Sequence, residues 1–221
     1  RGRAGRADRV APWGRRGGWG RAGAARGGGA GRAASCAPWD AGGATSLRGS
    51  AADELEADGS SGQLFLVGGA AMALAHDTRR ATRDLDGVFE PKLAIYAAAE
   101  RVADRHPGLA PDWLNDAVKA FLPGTDPNAT TIIDHPALQV QVASPDYLLA
   151  MKVLAARLDR DDDDIRSLAG LCSLSTADEV LDLVVRFYPD ANIPTRVAYV
   201  IEDILGSTTD RNEPGDAQAS S

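Results

Sequence analysis

The chain has 221 residues, with 24 Lys and Arg against 31 Asp and Glu, and two cysteines. That length suits one functional unit rather than two large domains. The longest apolar run, Leu64 to Ala75, is broken by Gly68 and Gly69 and falls well short of the ~18 residues that span a bilayer, while two cysteines build no disulfide framework. The expectation is a protein of a reducing compartment, the cytoplasm, with no membrane partner.

The formal charge of −7 hides two unlike pieces. Residues 1–50 hold ten Arg against Asp8 and Asp40, and fourteen of the 24 Gly, without Ile, Phe, Tyr or Lys, which leaves about −15 on the remainder. Such a stretch cannot bury enough apolar surface to offset chain entropy, so a disordered leader is expected over 1–50. Arg or Gly interrupts every candidate for the apolar stretch of a secretory signal. The start at Arg1 and the Arg-Gly-Ala bias read as translated sequence upstream of the true start. The functional alternative is a nucleic-acid arm, because clustered guanidiniums neutralise phosphates. Beyond it the sequence divides into a linker or short helix over 51–62, an α/β core over 63–143, a helical part over 144–206 and a disordered tail over 207–221.

Leu64-Phe65-Leu66-Val67, bounded by glycines, predicts a short buried strand, and Ala70 to His76 a helix of about two turns. Leu85 to Phe89 alternates as a second strand. Pro91 suits the first position of a helix to about Asp104, with Leu93, Tyr96, Ala97 and Val102 as its apolar stripe. Asp112 to Phe121 reads as a further helix, with Asp112 as cap and Trp113, Ala117 and Phe121 four apart. Thr130 to Ile133 and Leu138 to Val142 read as strands. Ser144 then caps a helix with Pro145 at its first position and Tyr147, Leu148, Met151, Leu154, Ala155 and Leu158 as its core stripe. Helices follow at about Asp161 to Cys172, Thr176 to Phe187 and Pro194 to Leu205, the second announced by a Thr176/Glu179 capping box. Strands first and helices last predict an α+β class: a small mixed β-sheet core flanked by helices, followed by a C-terminal helical bundle.

Asp84-Leu85-Asp86 places two carboxylates on one face of a strand, because side chains alternate with period two. Two aligned oxygen ligands suit Mg²⁺, with Mn²⁺ as the alternative, leaving phosphates and water to complete the coordination. Gly68-Gly69, after a strand and opening a helix, frees backbone N–H groups to approach a triphosphate. In the helical part Lys152 has Leu148 and Ala155-Ala156 as neighbours, so its ammonium emerges from a partly apolar wall. Asp164 shares a helix face with Leu168 and Leu171, and a carboxylate on an apolar face needs a partner, for which Lys152 is the candidate. Asp161 lies one turn away, whereas Asp162 and Asp163 read as solvated. The absence of Gly-Lys-Ser/Thr excludes a P-loop, and His76, His106 and His135 are too far apart for a zinc motif.

A strand, Gly-Gly, a short helix and then Asp-x-Asp on the next strand resemble the signature of polymerase-beta-type nucleotidyltransferases. Arg80-x-Thr82-x-Asp84-x-Asp86 looks in particular like the minimal nucleotidyltransferases of the AbiEii toxin group. Met151 to Arg157 is similar to that group's lysine motif, and Arg160-Asp161-Asp162-Asp163-Asp164-Ile165 to its Arg-Asp-x-x-Asp-hydrophobic motif. The resemblance implies transfer of a nucleoside monophosphate from an NTP to an RNA (tRNA) or protein acceptor. It implies Asp84, Asp86, Lys152, Asp164 and Asp161 as catalytic groups, Asp84 and Asp86 holding the metal. Gly68, Gly69, Arg80 and Thr82 would bind the nucleotide, Arg80 by neutralising developing charge and Thr82 by orienting Asp84. The setting it implies is the toxin of a bacterial toxin-antitoxin pair, with a cognate antitoxin as partner. One departure is that the strand Leu138 to Val142 carries no third acid. That keeps open a second reading, a catalytically inactive module that binds a nucleotide or a partner on the same fold.

Overall fold

Short apolar strands with two buried faces need helices on both sides, and the computed structural model, which describes residues 50–75, 84–106, 109–155 and 161–206, supplies them. A helix α1 covers residues 50–57. β1 (Gly62–Leu66) leads into α2 (Gly68–Ala75), β2 (Leu85–Glu90) into α3 (Lys92–Arg105), and β3 (Leu114–Asn115) into a 3₁₀ turn at Ala117–Phe121. β4 (Thr130–His135) and β5 (Leu138–Val142) form a hairpin before α4 (Pro145–Ala155), α5 (Asp162–Leu171), α6 (Ala177–Phe187) and α7 (Thr195–Gly206). The sheet order is β3-β2-β1-β5-β4. β1 is antiparallel to β2 and parallel to β5, β2 is parallel to β3, and β4 is antiparallel to β5. The sheet is therefore mixed, in the expected α+β class.

Register decides which residues share a face. Leu64 and Leu66 pair with Phe89 and Gly87 on one side and Val140 and Val142 on the other. α3 covers this face: Phe89 meets Tyr96 edge to face with ring centroids 4.9 Å apart, and Trp113 donates its indole N–H to Ala99 O at 3.0 Å. Gly87 is required by closeness, since a Cβ there would stand 2.6 Å from Phe65 O. The opposite face carries Phe65, opposite Val88 and level with Gln141. Here Phe65 packs on Tyr147 of α4, which in turn meets Phe187 of α6, each edge to face at 5.5 Å. One continuous apolar core joins sheet and helices.

Several local expectations need correction. Asp112 to Phe121 is not a helix: Trp113 is buried, Leu114–Asn115 pairs with Leu85 and Asp86 as a strand, and only Ala117–Phe121 turns helically. Sheet pairing has overridden a four-residue spacing that ended in an exposed Phe121. The stripe of α3 is Ile95, Ala98, Ala99 and Val102, while Leu93 is 87% exposed. Pro91 is the residue before α3 rather than its first. On α4 the buried residues are Tyr147, Leu148, Leu149, Ala150 and Val153, with Leu154 and Ala155 exposed and Met151 between. Buried on so many sides, α4 has no single apolar stripe to read. The leader through residue 49, the tail from 207, His76 and Leu158 lie outside the described residues.

Candidate active site

Gly68 leaves β1 with φ +63°, a left-handed conformation that favours glycine. The turn is needed because α2 must start at once beside β2, where Val67 donates its N–H to Asp86 O at 3.0 Å. A Cβ at Gly68 would stand 3.5 Å from Asp86 Oδ2. The glycine turn and the carboxylate therefore meet at the sheet edge formed by the end of β1 and the starts of β2 and β3. Asp84 is the exposed residue just before β2 and Asp86 its half-buried second residue. Burial pushes the Asp86 carboxyl above its usual range, the charge of Asp84 pushes further, and a hydrogen bond from Asn115 opposes both.

A half-buried carboxylate with a like charge beside it is an arrangement a divalent cation relieves. Among the described residues no group of three or more His, Cys, Asp or Glu is arranged to hold a metal. Two carboxylates beside a glycine turn fit Mg²⁺, which retains water and takes phosphate oxygens readily. Among the described residues no helix is long and apolar enough to cross a membrane.

A second group sits in the helical layer. Lys152 of α4 reaches Asp161 Oδ1 at 2.8 Å and Asp164 Oδ2 at 2.6 Å. The Asp164 side chain is only 4% exposed and that of Lys152 20%, so the expected pair is present and largely shielded from water. Asp161 stands at the N-cap of α5 yet makes no side-chain cap bond; its carboxylate is turned to Lys152 instead. Asp163 is exposed and pairs with Arg166, as its reading as solvated implies. Asp162 does not follow that reading: its Oδ1 is buried, with no hydrogen-bond partner among the described residues.

Gly68 is thus brought to Asp86, whose charge neighbour is Asp84, and Lys152 to Asp161 and Asp164. What relates the two groups is the sheet: Asp86 shares its face with Val88, opposite Phe65, and Phe65 is the residue on which α4 packs. Arg80 and Thr82, with Arg157 and Arg160 of the helical motifs, lie outside the described residues.

Two residues with evident roles carry no signal in the sequence. Asn115 pairs with Asp86 across β2 and β3. Buried Asp126 accepts Ser144 N–H at 2.6 Å through Oδ2, and Ser144 O–H at 3.0 Å and Asn128 N–H at 2.9 Å through Oδ1. Its carboxylate thereby sits at the N-terminus of α4, next to Ser144, whose Oγ accepts the Tyr147 N–H as expected of a cap. Asp126-Pro127-Asn128 has the composition of a local turn, but nothing in it points to a residue eighteen positions on.

Comparison with curated proteins and with solved structures gives no match. The model of the family described as "Nucleotidyltransferase of unknown function (DUF6036)" matches residues 49–186, from α1 almost to the end of α6. With more than half of its length matched, and the Asp84/Asp86 pair and Lys152 both inside the matched span, the chain belongs to this nucleotidyltransferase family.

Proposed function

We propose that the protein transfers a nucleoside monophosphate from an NTP to an acceptor, an RNA such as tRNA or a protein, with Mg²⁺ or Mn²⁺ at Asp84 and Asp86. The observation that carries this reading is the approach of the Gly68 turn to the Asp86 carboxylate. It brings the backbone N–H groups at the start of α2, where phosphates bind well, against the acid pair. In the transfer, the acceptor hydroxyl loses its proton to solvent water as its oxygen bonds to the α-phosphorus, while the bond to the bridging oxygen of the β-phosphate breaks and pyrophosphate leaves. A divalent cation held there would supply charge neutralisation for the phosphates. Gly68 and Gly69 seat the triphosphate, and Asp84 and Asp86 would hold the cation. Lys152, positioned by Asp161 and Asp164, contacts the triphosphate or gives a proton to the leaving pyrophosphate. Arg80 and Thr82 complete the site on the sequence motif. The three motifs together support an AbiEii-like member, the toxin of a bacterial toxin-antitoxin pair acting in the cytoplasm with a cognate antitoxin.

The test is incubation of the full chain with each labelled NTP, Mg²⁺ and total RNA or protein. Asp86→Asn keeps the side-chain shape and removes the charge. Changes to groups that only support a metal ligand cost about 10 to 100-fold, so transfer should fall by more than about 100-fold. Mg²⁺ with a non-hydrolysable NTP analogue should raise the parent's melting temperature and barely move that of the variant. A variant that binds metal and nucleotide like the parent overturns the assignment. The second reading, an inactive binding module, has in its favour Gln139 and Gln141 where β5 could carry an acid; a nucleotide-dependent rise in melting temperature without transfer to any acceptor would select it.

A further inference from the structure

We propose that Asn115 is a positioning residue for Asp86, holding its carboxylate toward the Gly68 turn and thereby setting the affinity of the site for a divalent cation. This rests on the metal-site reading above and names a residue that reading does not contain. β3 is only two residues long, and its register places Asn115 directly across from Asp86. Paired residues on neighbouring strands share a face, so the Asn115 side chain stands beside the carboxylate. An amide can face a carboxylate either way round, and a second bond settles which way. Asn115 Oδ1 accepts the Ala117 N–H at 3.2 Å, which leaves its NH₂ as the group that donates to Asp86. One side chain is thus fastened at its oxygen by the start of the 3₁₀ turn and aims its donor at the acid.

The consequence is directional. Asp86 has two carboxylate oxygens, and Oδ2 is the one nearest Gly68. A donor fixed on the β3 side restrains rotation of the carboxylate, so that a cation would meet an oriented ligand. The same logic explains why so short a strand is kept in register: Leu85 N–H donates to Trp113 O at 2.6 Å and the buried Trp113 ring is tied to α3, so β3 cannot slide past β2. A slip by one residue would turn Asn115 to the other face and bring Asp116, already engaged by Lys92 and Tyr96, opposite Asp86.

The experiment is titration of the full chain with Mn²⁺ in the absence of nucleotide, free Mn²⁺ being read by electron paramagnetic resonance. Melting curves run alongside. The parent should bind, and Asp86→Asn should not. Asn115→Ala should weaken Mn²⁺ about 10 to 100-fold, the range for groups that orient metal ligands, and should raise by a similar factor the Mg²⁺ concentration that half-saturates transfer. Should the alanine variant fail to fold, Asn115→Leu keeps the side-chain bulk without a donor and should show the same loss. If the parent binds and Asp86→Asn does not, but Asn115→Ala and Asn115→Leu bind like the parent, the positioning role is overturned and the metal site stands. A parent that binds no Mn²⁺ overturns both.

Discussion

The ammonium of Lys152 has three donors, and Asp161 and Asp164 take two of them. At 2.6 Å from a carboxylate that is 4% exposed, the lysine is as much a requirement of the fold as of any chemistry. Burying the Asp164 charge costs several kcal/mol that only an opposite charge and hydrogen bonds offset. Lys152→Ala is therefore expected to destabilise the fold by roughly 3 kcal/mol, the lower end of the range for a broken buried pair, because one fifth of the lysine still meets solvent. Asp164→Asn should cost less, since Lys152 keeps Asp161. Denaturant melts of the two variants decide this; an unchanged midpoint in both removes the structural role and leaves only the functional one. This pair is legible in the sequence because a carboxylate in register with Leu168 on a helix face has few ways to be satisfied. Asp126 is not legible for the opposite reason: its partners Ser144 N–H and O–H belong to another element, and no local pattern encodes that distance.

At the scale of the element, legibility follows the locality of the interactions. The Thr176/Glu179 capping box is present with both reciprocal bonds, Glu179 N–H to Thr176 Oγ1 at 3.3 Å and Thr176 N–H to Glu179 Oε2 at 3.1 Å. Ser144 likewise caps α4 as its sequence implies. β3 departs from the helical spacing around it because its two residues take their conformation from β2. Leu93 faces outward because its neighbours on α3, not its own apolarity, decide which stripe meets the sheet. The capping box also carries a pH signature. Backbone N–H groups of Ser175 and Thr176, the largest causes in that order, hold the Glu179 carboxyl below its usual range in the folded chain. The unfolded carboxyl titrates near ~4.3, so the stabilisation is complete above that value and is lost as the pH falls through the lower, folded one. Melting temperatures of the parent and Glu179→Gln should therefore differ at pH 7, with the parent higher, and converge on acidification below about pH 4. A difference that stays constant from about pH 7 to about pH 3 would show that the ionised carboxylate contributes nothing to the cap.

The whole molecule begins, in energetic terms, at α1. Its residues Ala51, Ala52 and Leu55 are buried in the common core, and its Glu54 is held between Arg101 and Arg105 of α3, with Asp58 also on Arg101. These two guanidiniums, Arg101 first, hold the Glu54 carboxyl below its usual range. The helix fastens the outer side of α3, which in turn covers the sheet face opposite the acid pair, so loss of α1 reaches the site only through α3 and the core. The family match begins at residue 49, one residue before the described part of this helix, while the preceding stretch is poor in residues that pack. Two truncations separate these contributions. Removing residues 1–48 should leave the melting temperature unchanged within error. Removing residues 1–60 strips Leu55 from the core, and a single lost leucine side chain costs about 2 to 5 kcal/mol. At about 2 to 4 °C per kcal/mol for a chain of this size, the melting temperature should fall by at least about 4 °C. A fall of that size on removing 1–48 alone would mean that the Arg- and Gly-rich stretch packs on the fold, contrary to its composition. The same shorter deletion reads the role of the arginines it removes. If they engage RNA phosphates, the slope of log affinity against log salt should flatten by about 0.7 for each single-strand phosphate they had neutralised. An unchanged slope would assign any RNA recognition to the acidic remainder of the chain, whose net charge of about −15 opposes phosphate approach, so that binding there would depend on the cation held at Asp84 and Asp86.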